Sequence, residues 1–354
     1  MSLAKPRIAV VLFNLGGPDS PKAVQPFLQN LFSDPAILRV PPPVRWFLAR
    51  LISRLRAKKA QGIYNAIGGG SPLLPNTEAQ AAALDRALGE ALPDSECRSF
   101  IAMRYWHPLT PAAVKAVKDW QPDTIVLLSL YPQFSTTTTE SSFAAFQAEA
   151  TRLGITAPQH VVCCYPEDAG WTGAVAEQIR RSGVDLTATR LLFSAHGLPQ
   201  KIVDEGDPYP LQVNATVQAV CSQLGDAALD TVVCYQSKVG PLKWLEPSTE
   251  HELHRAGAEK KAVLVIPIAF VSEHSETLVE LDIEYKHLAE EAGVSHYTRL
   301  PTVMLEPLFI KGLAVLVQQS LKAPQGEYLC SINDAVCQQP EKHCSRQLKA
   351  SRPG

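Results

Sequence analysis

One stretch of the chain gathers side chains able to bind a metal ion or pass protons: Lys261 to Glu284, KAVLVIPIAFVSEHSETLVELDIE. His274 stands at the mouth of its helical half, and Glu276, Glu280 and Glu284 recur every four residues. On an α-helix four residues overshoot a full turn by only about 40°, so the three carboxylates form one stripe. Leu278 and Leu281 point elsewhere and give the helix a core face. An imidazole beside a ladder of carboxylates suits a divalent metal ion, because imidazole takes up metals or protons and carboxylates bind cations. A surface helix with glutamates on its wet side has the same spacing. The rest of the chain must choose between the two.

The elements that would hold these groups are legible as apolar runs. Ala262–Phe270 is a buried strand, and the helix follows from about Ser275. Arg7–Asn14 (RIAVVLFN) is a strand ending at Gly16-Gly17-Pro18, where the chain turns or approaches something closely. Cys97–Tyr105, Thr124–Leu130, His160–Tyr165, Arg190–Ala195 and Thr231–Tyr235 are further strands, and a helix covers Asn76–Leu92. Strands alternating with helices predict two doubly wound parallel α/β lobes. In such sheets ligands sit beyond the strands' carboxyl ends, which places the ligand in the cleft between lobes. His196, directly after Arg190–Ala195, and the His274/Glu276 pair both fall at such ends. DTIVLLSLYPQFSTTTTESSF resembles KAVLVIPIAFVSEHSETLVEL in plan, which suggests an internal duplication.

The chain has 354 residues, 46% of them hydrophobic and 19% charged, enough for two domains with real cores. The formal net charge of −2 argues against nucleic acid as a partner. The N-terminus runs straight into a strand pattern rather than a signal peptide, and no apolar run approaches the roughly 20 residues of a membrane span. A cytoplasmic protein is expected, and its eight cysteines are then not a disulfide framework. G-x-G-x-x-G, Walker A, G-x-S-x-G and H-E-x-x-H motifs are all missing, which weakens nucleotide-binding, serine-hydrolase and zinc-protease readings. The sequence carries no indication of oligomeric state.

Pro35 to Thr77 holds no acidic residue but seven basic ones, from Arg39 to Lys59. Val44, Phe47, Leu48, Leu51, Ile52 and Leu55 fall at helical spacing behind Pro41–Pro43, with Trp46 among them. Such a helix can lie on an anionic membrane surface or rim an apolar, acid-bearing ligand site. It can also pack on the core with a basic outer face. Tyr64–Pro72 is a glycine-rich loop. After about Ala323 the chain turns polar and places Cys330, Cys337 and Cys344 at even gaps. Three thiols there could be free, or could ligate iron–sulfur or zinc with a fourth ligand from elsewhere, for which Cys163 or Cys164 is best placed.

With these motifs read in order, the chain resembles the ferrochelatases from about Arg7 to Leu321. LFNLGGPDS, IGGGSPL, MRYWHPLT, LSLYPQFSTTTT, SAHGLP, CYQSKVGPLKWL and FVSEHSETLVELDIEY carry the resemblance. It implies the type II chelatase fold: two Rossmann-like lobes over 1–160 and 161–323, with a basic lip near 35–60 and a cysteine-bearing tail over 324–354. It implies insertion of ferrous iron into protoporphyrin IX to give protohaem, with iron as substrate and no cofactor needed for the chemistry. Some bacterial relatives use coproporphyrin III instead. A cobalt chelatase, or a porphyrin or metal carrier on the same fold, are the rival readings.

By the same resemblance the metal-binding histidine falls on His196, its partner carboxylate on Glu276, and the acidic metal path on Glu280 and Glu284. Arg104 and Tyr105 fall near the porphyrin. Tyr64 and Ser71 border its pocket, and Trp244 and Phe270 line it. The basic helix corresponds to a pocket lip that touches membrane in some members. Animal members with a [2Fe–2S] cluster have a cysteine after Y-P-Q-[FY]-S, where this chain has Thr136. A cluster here would need Cys330, Cys337 and Cys344 with Cys163 or Cys164.

Overall fold

The computed structural model describes residues 5–225, 229–324 and 328–330. It divides into two compact units, one made of Met1–Cys164 and Leu313–Cys330, the other containing Tyr165–Gly312. Each is a parallel sheet covered by helices, the two-lobed α/β architecture that the alternation of strands and helices predicts.

In the first unit the strands are β1 (Arg7–Asn14), β2 (Glu96–Met103), β3 (Thr124–Ser129) and β4 (Gln159–Cys164). In the second they are β5 (Thr189–His196), β6 (Thr231–Gln236), β7 (Ala262–Pro267) and β8 (His296–Arg299). β9 (Tyr328–Cys330), inside the stretch read as a tail, returns to pair with β4 at the edge of the first sheet. The orders are β2-β1-β3-β4-β9 and β6-β5-β7-β8. Counted from each unit's first strand, both sheets run 2-1-3-4.

The strands read as continuous apolar runs because helices cover both faces of a parallel sheet. From Ile8 to Asn14, β1 is buried at every residue. Phe13 meets the rings of Phe143 and Phe146 edge-on at 5.2 and 5.8 Å. In the second unit Leu192, Val263 and Val265 pack with Leu281 and Tyr285, so Leu281 does face the core.

The third strand of each sheet leads into a π-helix, Thr136–Glu140 after β3 and Glu276–Tyr285 after β7. The likeness between the two segments in sequence is therefore matched by strand order and by local conformation. The strand expected to reach Phe270 stops at Pro267, where the chain turns and the Phe270 N–H donates to the Pro267 carbonyl at 3.3 Å. The helix expected to be α from Ser275 is π to Tyr285 and α only over Lys286–Ala292. Residues four apart still neighbour one another on this wider helix, so the glutamates keep a common side.

Two helices bear on the basic segment, α1 (Val24–Ser33) and α2 (Pro42–Asn65), which pack together. The face that α2 buries is small, centred on Ala49 and Ser53. Val44, Trp46, Phe47, Leu51 and Leu55 point outward, with Trp46 61% and Leu55 73% exposed. Leu48 and Ile52 are half-buried, so part of the stripe packs while most of it faces outward. Among the described residues, no helix is long and apolar enough to cross a membrane.

Candidate functional site: two imidazoles on one carboxylate

His196 is the last residue of β5, and the following Gly197 explains how the chain leaves it. A Cβ on Gly197 would stand 2.8 Å from the Gln236 carbonyl and 3.1 Å from the Trp244 ring. Only glycine allows this approach, and it brings Trp244 against the residue that follows the histidine. The indole N–H donates to the Val239 carbonyl at 3.1 Å, fixing the ring's edge.

His196 Nε2 lies 3.6 Å from Glu276 Oε2. His274 Nε2 lies 3.5 Å from the same oxygen. The other nitrogen of each ring meets a backbone carbonyl: His196 Nδ1 with Gly197 O at 2.6 Å, His274 Nδ1 with Ser272 O at 3.2 Å. A carbonyl only accepts, so each Nδ1 carries the proton. In the neutral rings both Nε2 lone pairs then face a carboxylate oxygen. Three acceptor atoms converge with no donor among them, and such an arrangement calls for a cation, either a proton or a metal ion. Phe270 packs its ring on His274, 4.6 Å between centroids, and so borders the same point. The donors touch one another rather than enclose a centre: among the described residues no group of three or more His, Cys, Asp or Glu is arranged to hold a metal ion.

Burial works against the charge on Glu276, but once His196 and His274 are protonated their imidazolium charges, with the hydrogen bond from His274, outweigh it and hold its carboxyl at about 2. Glu280 moves the other way, raised by burial and by the neighbouring Glu276 charge. It is also firmly held. Ser237 N–H and Oγ donate to it at 2.7 and 2.5 Å, Gln236 Nε2 at 3.0 Å and the Tyr285 hydroxyl at 3.0 Å. Gln236 Nε2 also reaches the Glu276 carbonyl at 3.1 Å, and its Oε1 accepts from Ser194 Oγ at 2.8 Å. Glu276 and Glu280 are half-buried and Glu284 is exposed, so the stripe runs from the imidazoles to the surface.

The first unit holds the other candidates. Arg104 pairs with Asp34 at 2.7 Å, and its Nε donates to Ser141 Oγ at 2.7 Å. Tyr105 is fully buried, and its hydroxyl donates to the same Asp34 oxygen at 2.8 Å. Tyr64 is buried beside Tyr105 in a cluster with Val24, Phe27 and Leu28. Ser71 N–H donates to the Pro18 carbonyl at 2.7 Å, and the Ser71 side chain fills the space that a Cβ on Gly17 would need. The two glycine-rich loops thus lock together. Thr136, where animal members carry a cysteine, opens the first π-helix and accepts from Arg39 Nη2 at 3.1 Å.

Among the cysteines, Cys164 and Cys330 are register partners across β4 and β9, with their sulfurs 3.1 Å apart. Hydrogen bonds with Cys163 and Cys330, then burial, push the Cys164 thiol well above its ordinary value. Cys337 and Cys344 lie outside the described residues.

Sequence reasoning singled out His196, His274 and Glu276. It missed Gln236 and Ser237, Tyr285 and Asp34, which act through contacts distant in the chain. Gln236 and Ser237 could have been flagged by their place at a strand's carboxyl end.

A family model described as Ferrochelatase matches residues 7–321. The chain is 54% identical over 322 residues to the ferrochelatase of Caulobacter vibrioides, covering 90% of this chain and 92% of that one. It is 52% identical over 338 residues to the ferrochelatase of Phenylobacterium zucineum, covering 94% and 97%. With that of Rickettsia bellii it shares 47% over 344 residues, covering 97% and 95%. Among solved structures, Bacillus subtilis SirB with Fe3+ superposes with a TM-score of 0.54 at 10% identity, covering 90% of this chain and 96% of that one. That likeness shows the shared fold.

Proposed function

The chain belongs to the ferrochelatase family, and we propose that its chemistry is carried by His196 and Glu276. It is a metal chelatase of haem biosynthesis, a lyase that inserts ferrous iron into protoporphyrin IX and releases two protons. The observation behind the assignment is the convergence of two imidazole lone pairs on one carboxylate oxygen.

Insertion needs a site that accepts a metal ion on one side of the exchange and protons on the other. His196 Nε2 is oriented by its Nδ1–H bond to Gly197 and can take a pyrrole proton or pass on iron. Glu276 stays ionised and offers an anionic oxygen to the incoming ion. His274 shares that oxygen from the buried side. Glu280 and Glu284 continue the path outward for ions or protons. Trp244 and Phe270 supply an aromatic wall against which the macrocycle bends, and a bent macrocycle exposes its nitrogen lone pairs. Tyr64, Ser71, Arg104 and Tyr105, all in the first unit, are the proposed porphyrin contacts of that unit, Arg104 supplying a cation for a propionate and Tyr105 acting by fixing Asp34, which holds Arg104. The test is substitution of His196 and of Glu276, read as the rate of protohaem formation.

The outward face of α2 fits a peripheral contact with an anionic bilayer, since Trp46, Phe47 and Leu55 stand among Arg45, Arg50, Arg54 and Lys58. Phe47→Glu is expected to release the protein from phosphatidylglycerol-containing vesicles in a sedimentation assay. Equal sedimentation of both proteins would reject the contact.

The Cys164–Cys330 approach suits the thiolate chemistry of a [2Fe–2S] cluster, with Cys337 and Cys344 as the remaining ligands. A resident cluster would have to displace the thiol protons that burial favours. Anaerobically purified protein is expected to show visible charge-transfer bands that Cys164→Ser loses and Cys97→Ser keeps. A colourless wild-type protein would refute the ligation.

A further inference from the structure

We propose that Arg299 is a positioning residue for iron insertion, its guanidinium tying the approach to the π-helix that carries Glu276 to the helix's later half. Arg299 ends β8, and its side chain is 10% exposed. Nη1 donates to Glu273 Oε1 at 2.6 Å. Nε donates to Asp282 Oδ1 at 2.8 Å, and Nη2 bonds the other oxygen of the same carboxylate. Glu273 immediately precedes His274, and Asp282 lies in the far part of the π-helix. One planar fork therefore ties the residue before His274 to the seventh residue of the π-helix.

The grip extends to the reacting groups through the backbone. Glu273 Oε1 also accepts from the Thr302 N–H at 2.9 Å, and Oε2 accepts from Thr277 Oγ1 at 2.5 Å. Thr277 Oγ1 in turn accepts from the His274 N–H at 3.0 Å. The line Arg299–Glu273–Thr277–His274 thus fixes the peptides on either side of Glu276. π-Helices mostly survive only as single-turn bulges, and this one runs for ten residues. A segment of that length needs restraint from outside. If it relaxes towards α geometry, the bearings of Glu276 and Glu280 relative to His196 change. Lysine cannot replace the fork, because a single ammonium cannot hold Glu273 and both oxygens of Asp282 together.

The inference rests on Glu276 as iron's partner, so Glu276→Gln is assayed alongside. The full-length chain carrying Arg299→Met, Arg299→Lys or Glu273→Gln is measured for iron-dependent insertion at saturating protoporphyrin IX. Porphyrin affinity is read by fluorescence titration, folding by thermal melt, and the π-helix by amide exchange over Thr277–Tyr285. In Arg299→Met, kcat/KM for ferrous iron is expected to fall about a hundredfold, the loss typical of a catalytic group displaced by about an ångström. Porphyrin affinity stays near wild type, amide exchange over the π-helix quickens, and Arg299→Lys falls between. Glu273→Gln keeps the Asp282 arm and is expected to show the same iron-selective loss should Arg299→Met not fold. Wild-type iron kinetics in folded Arg299→Met, or in Glu273→Gln, would overturn the proposal, as would equal losses for iron and porphyrin. Wild-type insertion by Glu276→Gln would instead overturn the site assignment itself.

Discussion

His196→Ala is expected to lose iron insertion by about 10²–10⁴-fold, the range a positioned proton-transfer group contributes, with the fold intact. The side chain is 37% exposed and lies at a strand's end, so its removal opens no core cavity. Its contacts are to Gly197 O and to Glu276, and neither belongs to the packing of the sheet. What disappears is an imidazole whose Nδ1 proton is committed to a carbonyl and whose Nε2 faces the converging acceptors. The variant should melt like wild type, bind protoporphyrin IX and fail to metallate it. Near-wild-type turnover would remove His196 from the chemistry.

Glu276→Gln is expected to cripple insertion to a similar degree. The replacement keeps the shape but removes the anion that two imidazoles share. An amide is a poor partner for ferrous iron, and its N–H₂ would turn a donor towards the incoming cation. The pH dependence has a definite sign. Because the folded carboxyl titrates at about 2, below its ordinary 4.5, its charge stabilises the fold above pH 4.5, and that stability is lost as pH falls through about 2. Acid unfolding of the wild type therefore carries a contribution over this window that the glutamine variant lacks. A variant with normal iron kinetics and an unchanged acid transition would contradict both statements.

The strands were legible because helices on both faces of each sheet force unbroken apolar runs, and β1 and β5 announce themselves that way. His196 and Glu276 were legible through motifs at strand ends. The π-helix was not, since a four-residue spacing of glutamates serves an α- or a π-helix equally. The contacts that reach the segment from outside come from Arg299, whose fork joins residues 26 and 17 positions away in the chain. Asp34 escaped notice for the same reason, its partner Arg104 being distant in sequence. The apolar stripe of α2 was seen, but periodicity cannot say whether such a stripe faces a core or the outside. Cys163 and Cys164 were alternatives in the sequence. Register pairing and a sulfur–sulfur distance of 3.1 Å set Cys164 beside Cys330.

The most direct measurement is anaerobic titration of ferrous iron into the porphyrin-loaded protein, with protoporphyrin IX and coproporphyrin III in parallel samples, followed by haem absorbance. Rapid protohaem formation, faster than with coproporphyrin III and lost in His196→Ala, is the predicted result. Tight porphyrin binding whose spectrum iron does not change would contradict the account, leaving a carrier in which His196 and Glu276 hold a ligand without transforming it.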